Sequence, residues 1–174
     1  MKKITMAFLL LVFLISGCSN EVGSKNVSLD FPTDVKTKIE NLPEEIQSNL
    51  KYPTEFPNDP SFVSFSYQTT DINNELNGDI IFTEFTYGGD EKGWMLHVTT
   101  WHSEVPNLDS SDYETVTLTN GIEANIKKNS QGKVLEWINE NGELNSLLLM
   151  QTSEERNYTI DDLVEVANSM VERK

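Results

Sequence analysis

Two histidines, His97 and His102, are the chain's only imidazoles, and both fall in the run Gly93-Trp94-Met95-Leu96-His97-Val98-Thr99-Thr100-Trp101-His102. Side chains alternate faces along a strand, so residues five apart point to opposite sides and cannot hold one metal ion without a bulge between them. Carboxylates are plentiful. Asp109-Ser110-Ser111-Asp112-Tyr113-Glu114 gathers several oxygen donors, yet the central glycine and terminal glutamate of a twelve-residue calcium loop are missing, which favours a solvated turn. There is no Gly-x-Ser-x-Gly elbow, and the single cysteine, Cys18, lies at the edge of an export signal, so no serine or cysteine nucleophile is announced. Glycosidase chemistry needs two carboxylates facing across a cleft, which spacing in sequence does not decide. No catalytic residue, metal site or cofactor is expected from these patterns.

The aromatic residues give a different lead. If residues 93–102 form a strand, Trp94, Leu96 and Val98 share one face and Met95, His97, Thr99 and Trp101 the other. The first set reads as core. The second, if exposed, mixes apolar bulk with a polar edge, the composition of a ligand or partner surface, and Met95, His97 and Trp101 are its candidate residues. The competing expectation is that helices formed by residues 33–50 cover this face, since tryptophan and methionine at strand period are usually packing residues.

The elements that would position this strand can be read from periodicity. Val35, Ile39, Leu42, Ile46 and Leu50 recur at helical spacing, and Pro43 is able to open a second helix, so two short helices are predicted over 33–50. Pro53, Pro57 and Pro60 end them and predict an extended surface connection without a regular ladder. Six or seven strands follow, near 61–70, 79–87, 93–102, 113–119, 122–128, 133–139 and 143–151. Asn120-Gly121 and Asn141-Gly142 mark tight hairpins and Asn129-Ser130-Gln131-Gly132 a looser turn, which predicts a meander. Ile160, Leu163, Val164, Ala167, Met170 and Val171 then fall on one face of a helix capped by Thr159, with Asp161 and Asp162 at its positive end. The expected fold is α+β, an antiparallel meander sheet of six to seven strands covered by a C-terminal helix and short N-terminal helices.

The first eighteen residues carry an address. Lys2 and Lys3 precede an apolar run from Met6 to Ile15, too short to span a bilayer, which needs about twenty apolar residues. Leu14-Ile15-Ser16-Gly17-Cys18 resembles the lipobox of bacterial lipoproteins. The resemblance implies that residues 1–17 are a removed signal peptide and that Cys18 becomes the lipid-bearing first residue of the mature chain. Residues 18–30 then read as a polar, aperiodic tether and 31–174 as one α+β domain. Cleavage takes away two of the 13 basic side chains and none of the 28 acidic ones, leaving a net charge near −17. Such a body is repelled by phosphate backbones, so nucleic acid is excluded as a partner.

The order of elements, from the Pro-rich lead-in through the Trp137-Ile138-Asn139-Glu140-Asn141-Gly142 hairpin to the Leu163–Val171 helix, resembles the extracytoplasmic domain of unknown function 4367 of Gram-positive lipoproteins and membrane-bound anti-sigma factors. The likeness spans about residues 43–172 and lends no catalytic residue. No anti-sigma domain or transmembrane helix precedes the domain here, so direct control of a sigma factor is not expected. The expected function is that of an extracytoplasmic lipoprotein, anchored in the cell membrane through Cys18, whose domain binds an envelope protein or small ligand. A hydrolase acting on a wall polymer through an acidic pair is the alternative.

Overall fold

The structure, a computed structural model, describes residues 30–73, 75–89, 93–103, 113–128, 132–151 and 158–172. The signal segment, Cys18, the tether as far as residue 29, the acidic run at 109–112 and turn residues 129–131 lie outside the described residues. The chain runs through α1 (Thr33–Glu40), α2 (Glu44–Asn49), β1 (Lys51–Pro53), β2 (Phe62–Thr69), β3 (Ile80–Gly89) and β4 (Trp94–Trp101). It continues through β5 (Glu114–Thr117), β6 (Glu123–Lys128), β7 (Lys133–Ile138), β8 (Leu144–Gln151), α3 (Ile160–Asn168) and β9 (Met170–Glu172). No helix among the described residues is long and apolar enough to cross a membrane.

Strands β2 to β8 form one antiparallel sheet in the order β2-β3-β4-β8-β7-β6-β5. Each lies within two residues of its expected position. The meander comes in two runs, β2-β3-β4 and β5-β6-β7-β8, and the chain passes from β4 to the far edge before returning to pair β8 with β4. Two apolar-rich strands, β4 and β8, thereby meet at the centre, where both faces of a strand are best covered.

Register explains the core. Phe65, Phe85, Val98, Leu147, Leu135 and Ile126 stand opposite one another in turn across six strands. A second row runs Val63, Tyr87, Leu96, Leu149. Both rows belong to the face that receives the helices, and they merge with Val35 and Ile39 of α1 and Leu163 and Val166 of α3 in a single cluster. Helix α1 begins after Pro32, carries Asp34 in its first turn and packs on β2 through Val35 and Ile39, one helical turn apart. Pro43 opens α2, as expected. A reciprocal cap between Thr159 and Asp162 starts α3. Burial of Leu163 and Val166 stabilises the fold by about 1.5–3 kcal/mol each.

Two expectations fail at the chain's closing seam. Met170 and Val171 do not extend the last helix, and Lys51–Pro53 is not an unpaired connection: β1 and β9 form a separate two-stranded ladder. Ser169 is the cause. Its Oγ donates to the Val166 carbonyl and accepts the backbone N–H groups of Thr54 and Glu55, while the Thr54 hydroxyl donates to the Ser169 carbonyl. The last turn of α3 is thereby tied to a segment that the helical spacing does not see.

Both Asn-Gly pairs sit in hairpin turns. Gly121 and Gly142 have φ of 83° and 81°, and each donates its N–H to the carbonyl three residues back, Leu118 and Asn139. These are three-residue loops, a type I turn followed by a left-handed glycine, and not two-residue turns. A Cβ on Gly142 would meet nothing within 4 Å, so the cost of substitution is conformational alone. Gly142→Ala is expected to lower stability by about 1–2 kcal/mol and Gly142→Asn by less, read as urea midpoints.

Candidate functional site

The face of the sheet that receives no described helix holds the second set of β4 residues, Met95, His97, Thr99 and Trp101. Along β4, Trp94, Leu96, Val98 and Thr100 are buried while Met95, His97, Thr99 and Trp101 are half-buried. Helices α1 and α2 do not cover this second set; α1 lies over β2 on the opposite face. Strand spacing puts Met95 and Trp101 about 20 Å apart, so the three candidate residues line a strip and do not converge. At one end Trp101 packs against Phe82, ring centroids 5.0 Å apart. Midway, His97 Nδ1 lies 3.4 Å from Glu84 Oε1 and 3.3 Å from the Thr86 hydroxyl, and Thr99 donates to Glu84.

His102 follows the parity of Thr100 and turns to the helix-bearing face. Its Nδ1 lies 2.7 Å from Glu143 Oε1 and its Nε2 3.0 Å from Thr83 Oγ1, and its side chain is 3% exposed. Asn139 Nδ2 donates to the other oxygen of Glu143 at 2.8 Å. Carboxylate, imidazole and hydroxyl thus stand in the order of a hydrolase triad. Thr83 is 2% exposed, however, so a substrate carbonyl has no approach to its oxygen. The arrangement clamps the β7–β8 turn to the sheet.

Both carboxylates titrate below the ordinary value of 4.5. For Glu84 the hydrogen bond from His97 is the main cause. For Glu143 burial pushes upward, but hydrogen bonds from His102 and Asn139 outweigh it. A carboxylate depressed by folding contributes stability above its unfolded value and loses it as pH falls through the folded one. Urea midpoints should therefore fall once pH drops below 4.5. The fall should be shallower in Glu143→Gln.

A feature missed at the level of sequence lies at the same end of the sheet. The next register row on the helix-bearing face is polar: Tyr67, Thr83, Thr100, Asn145 and Trp137. It ends at an open cavity of about 400 Å3 bordered by the β5–β6 and β7–β8 turns, β1, β9 and the last turn of α3. Five asparagines, Asn120, Asn139, Asn141, Asn145 and Asn168, stand in its wall beside Trp137. Asn145 is 1% exposed; its Oδ1 accepts from Thr100, and its Nδ2 has no protein partner. A buried amide left half-satisfied costs about 1–3 kcal/mol and is uncommon in a native fold.

Three of the other amides are anchored. Asn168 Oδ1 accepts the Thr119 N–H at 2.8 Å, which docks the β5–β6 turn on α3. Asn120 Oδ1 accepts from Ile122, and Asn139 Oδ1 from Asn141 and Glu143. The wall is therefore held in place by the backbone it bonds. The one legible signal was Asn145 itself, an amide sharing parity with Leu147 and Leu149 on β8. Among the described residues no group of three or more histidine, cysteine or acidic side chains is placed to hold a metal.

No protein-family model matches this chain, and no curated protein or solved structure matches it either.

Proposed function

We propose that this protein is an exported lipoprotein, held at the outer face of a bacterial membrane by lipid on Cys18, whose folded domain binds a ligand instead of transforming one. The lipobox-like ending and the single cysteine support the anchor. The likeness of the Trp137 hairpin and closing helix to domain of unknown function 4367 is in keeping with it. The observation that carries the binding function is a surface cavity of about 400 Å3 between two hairpin turns and a helix end, lined by five asparagines.

Hydrolysis through an acidic pair is less well supported. Glu84 belongs to the helix-free face, whereas Glu143 is bonded to His102 on the other, so these two carboxylates cannot flank one glycosidic bond. Hydrogen exchange of the mature protein, with and without the low-mass fraction of a bacterial envelope extract, tests the choice. Protection confined to residues 118–122 and 139–145 is the expected result. Uniform exchange in both samples would remove the binding function, and turnover of wall polymer that disappears in Glu143→Gln would replace it with hydrolysis.

A further inference from the structure

We infer that the outer edge of β2 is a surface for pairing with β2 of a second copy of this chain, and that the Lys38 ammonium group holds it closed. The seven-stranded sheet ends in β5 on one side and β2 on the other. β5 is blunt, four residues long with Glu114 at its start. β2 is eight residues long, and residues 61–70 hold no charged side chain in a chain where 24% of residues are charged. A long, uncharged outer strand is a template for another strand, and native sheets guard such strands with lysine, bulges or a cover.

Register shows which groups point off the sheet. The His102 N–H donates to the Ile81 carbonyl, so by parity Thr83 and Phe85 bond β4, while Glu84 and Thr86 bond their β2 partners Ser66 and Ser64. Val63 and Phe65 are left with N–H and C=O directed outward. The β2–β3 register shifts only beyond them, between Gln68 and Thr69, so they lie in a regular run. Lys38, on α1, donates from Nζ to the Phe65 carbonyl at 3.0 Å, which places a full positive charge at the middle of this edge.

A second copy is the occupant that the charges favour. Each chain carries 28 acidic against 13 basic side chains, so two copies repel each other unless they meet where carboxylates are absent, as they are from residues 61–70. A basic partner would gain nothing at an uncharged edge. A two-fold axis at Phe65 pairs that residue with its own counterpart, the self-complementary arrangement of a symmetric dimer. The two Lys38 ammonium groups, each 3.0 Å from a Phe65 carbonyl, would meet across that axis, and like charges directly opposite on neighbouring strands are destabilising.

The test is the mass of the mature chain, residues 18–174, by light scattering over a concentration series at physiological ionic strength, with Cys18 kept reduced so that it forms no disulfide. Lys38 is exposed and alanine is a good helix former, so Lys38→Ala should fold. The expected result is a monomeric wild type and, in Lys38→Ala, a mass that doubles as concentration rises, with slowed amide exchange at Val63 and Phe65 in the dimer. Adding Val63→Pro removes an outward N–H and should restore the monomer. A Lys38→Ala protein that stays monomeric, or a wild type that dimerises equally, would overturn the role of Lys38. A dimer with unchanged exchange at Val63 and Phe65, or one that persists in the double variant, would overturn the pairing through β2.

Discussion

Replacing Cys18 with serine should abolish incorporation of labelled fatty acid into the protein, with the label falling to background while the polypeptide is still made. The thiol is the reason. Diacylglyceryl transfer needs a sulfur nucleophile at this position, and the chain has no second cysteine to substitute for it. Each buried methylene contributes about 0.8 kcal/mol to membrane binding, so two acyl chains make a lasting anchor and none makes no anchor at all. The chain's net charge is strongly negative, and no described helix is long and apolar enough to cross a membrane. Undiminished labelling of the serine variant would disprove anchoring through Cys18.

Phe85→Ala is expected to lower stability by about 3–5 kcal/mol, the largest effect of any single truncation in the core. The ring is 1% exposed and stands where the two halves of the aromatic cluster meet. It stacks on Phe31 at 5.4 Å, meets Phe65 at 4.7 Å, and lies 6.0 Å from Tyr87 and 6.1 Å from Tyr52. Its loss therefore loosens the lead-in before α1, strand β1 and the sheet together. Domains of this size are stable by about 5–15 kcal/mol, so the melting temperature should fall by roughly 10–15 °C. Phe62→Ala, at a ring already 39% exposed, should cost about 1 kcal/mol or less. Equal shifts in the two variants would mean that the core is not centred on Phe85.

The sheet was legible because its strands are bounded by strong turn signals and its register faces alternate cleanly. Trp94, Leu96 and Val98 fell on the buried side for that reason alone. What escaped was set by contacts distant in sequence. Three residues are too few to show a period, and Pro53 argued against a ladder, so β1 was invisible. Met170 continues the helical spacing of Leu163 and Ala167, and only the bonds from Thr54 and Glu55 to Ser169 reveal that the helix has stopped. The pairing of β4 with β8 likewise contradicts the rule that neighbours in sequence pair. As for the site, Met95, His97 and Trp101 were placed on their face correctly, but a strand cannot bring residues six apart together. The cavity draws its asparagines from two turns, a strand and a helix end, and each of the turn residues already had a sufficient explanation in turn chemistry.

The seam between β1 and β9 also sets an order of events. A polypeptide is made from its amino end, and Thr54 must wait for Ser169, 115 residues later, before its hydroxyl and N–H find their partners. Strand β4 waits in the same way for β8, so half of the sheet has an unpaired inner edge while the other half is still being synthesised. Folding of this domain is thus expected to be largely post-translational, and nascent chains stalled before residue 144 should be far more protease-sensitive than the finished protein.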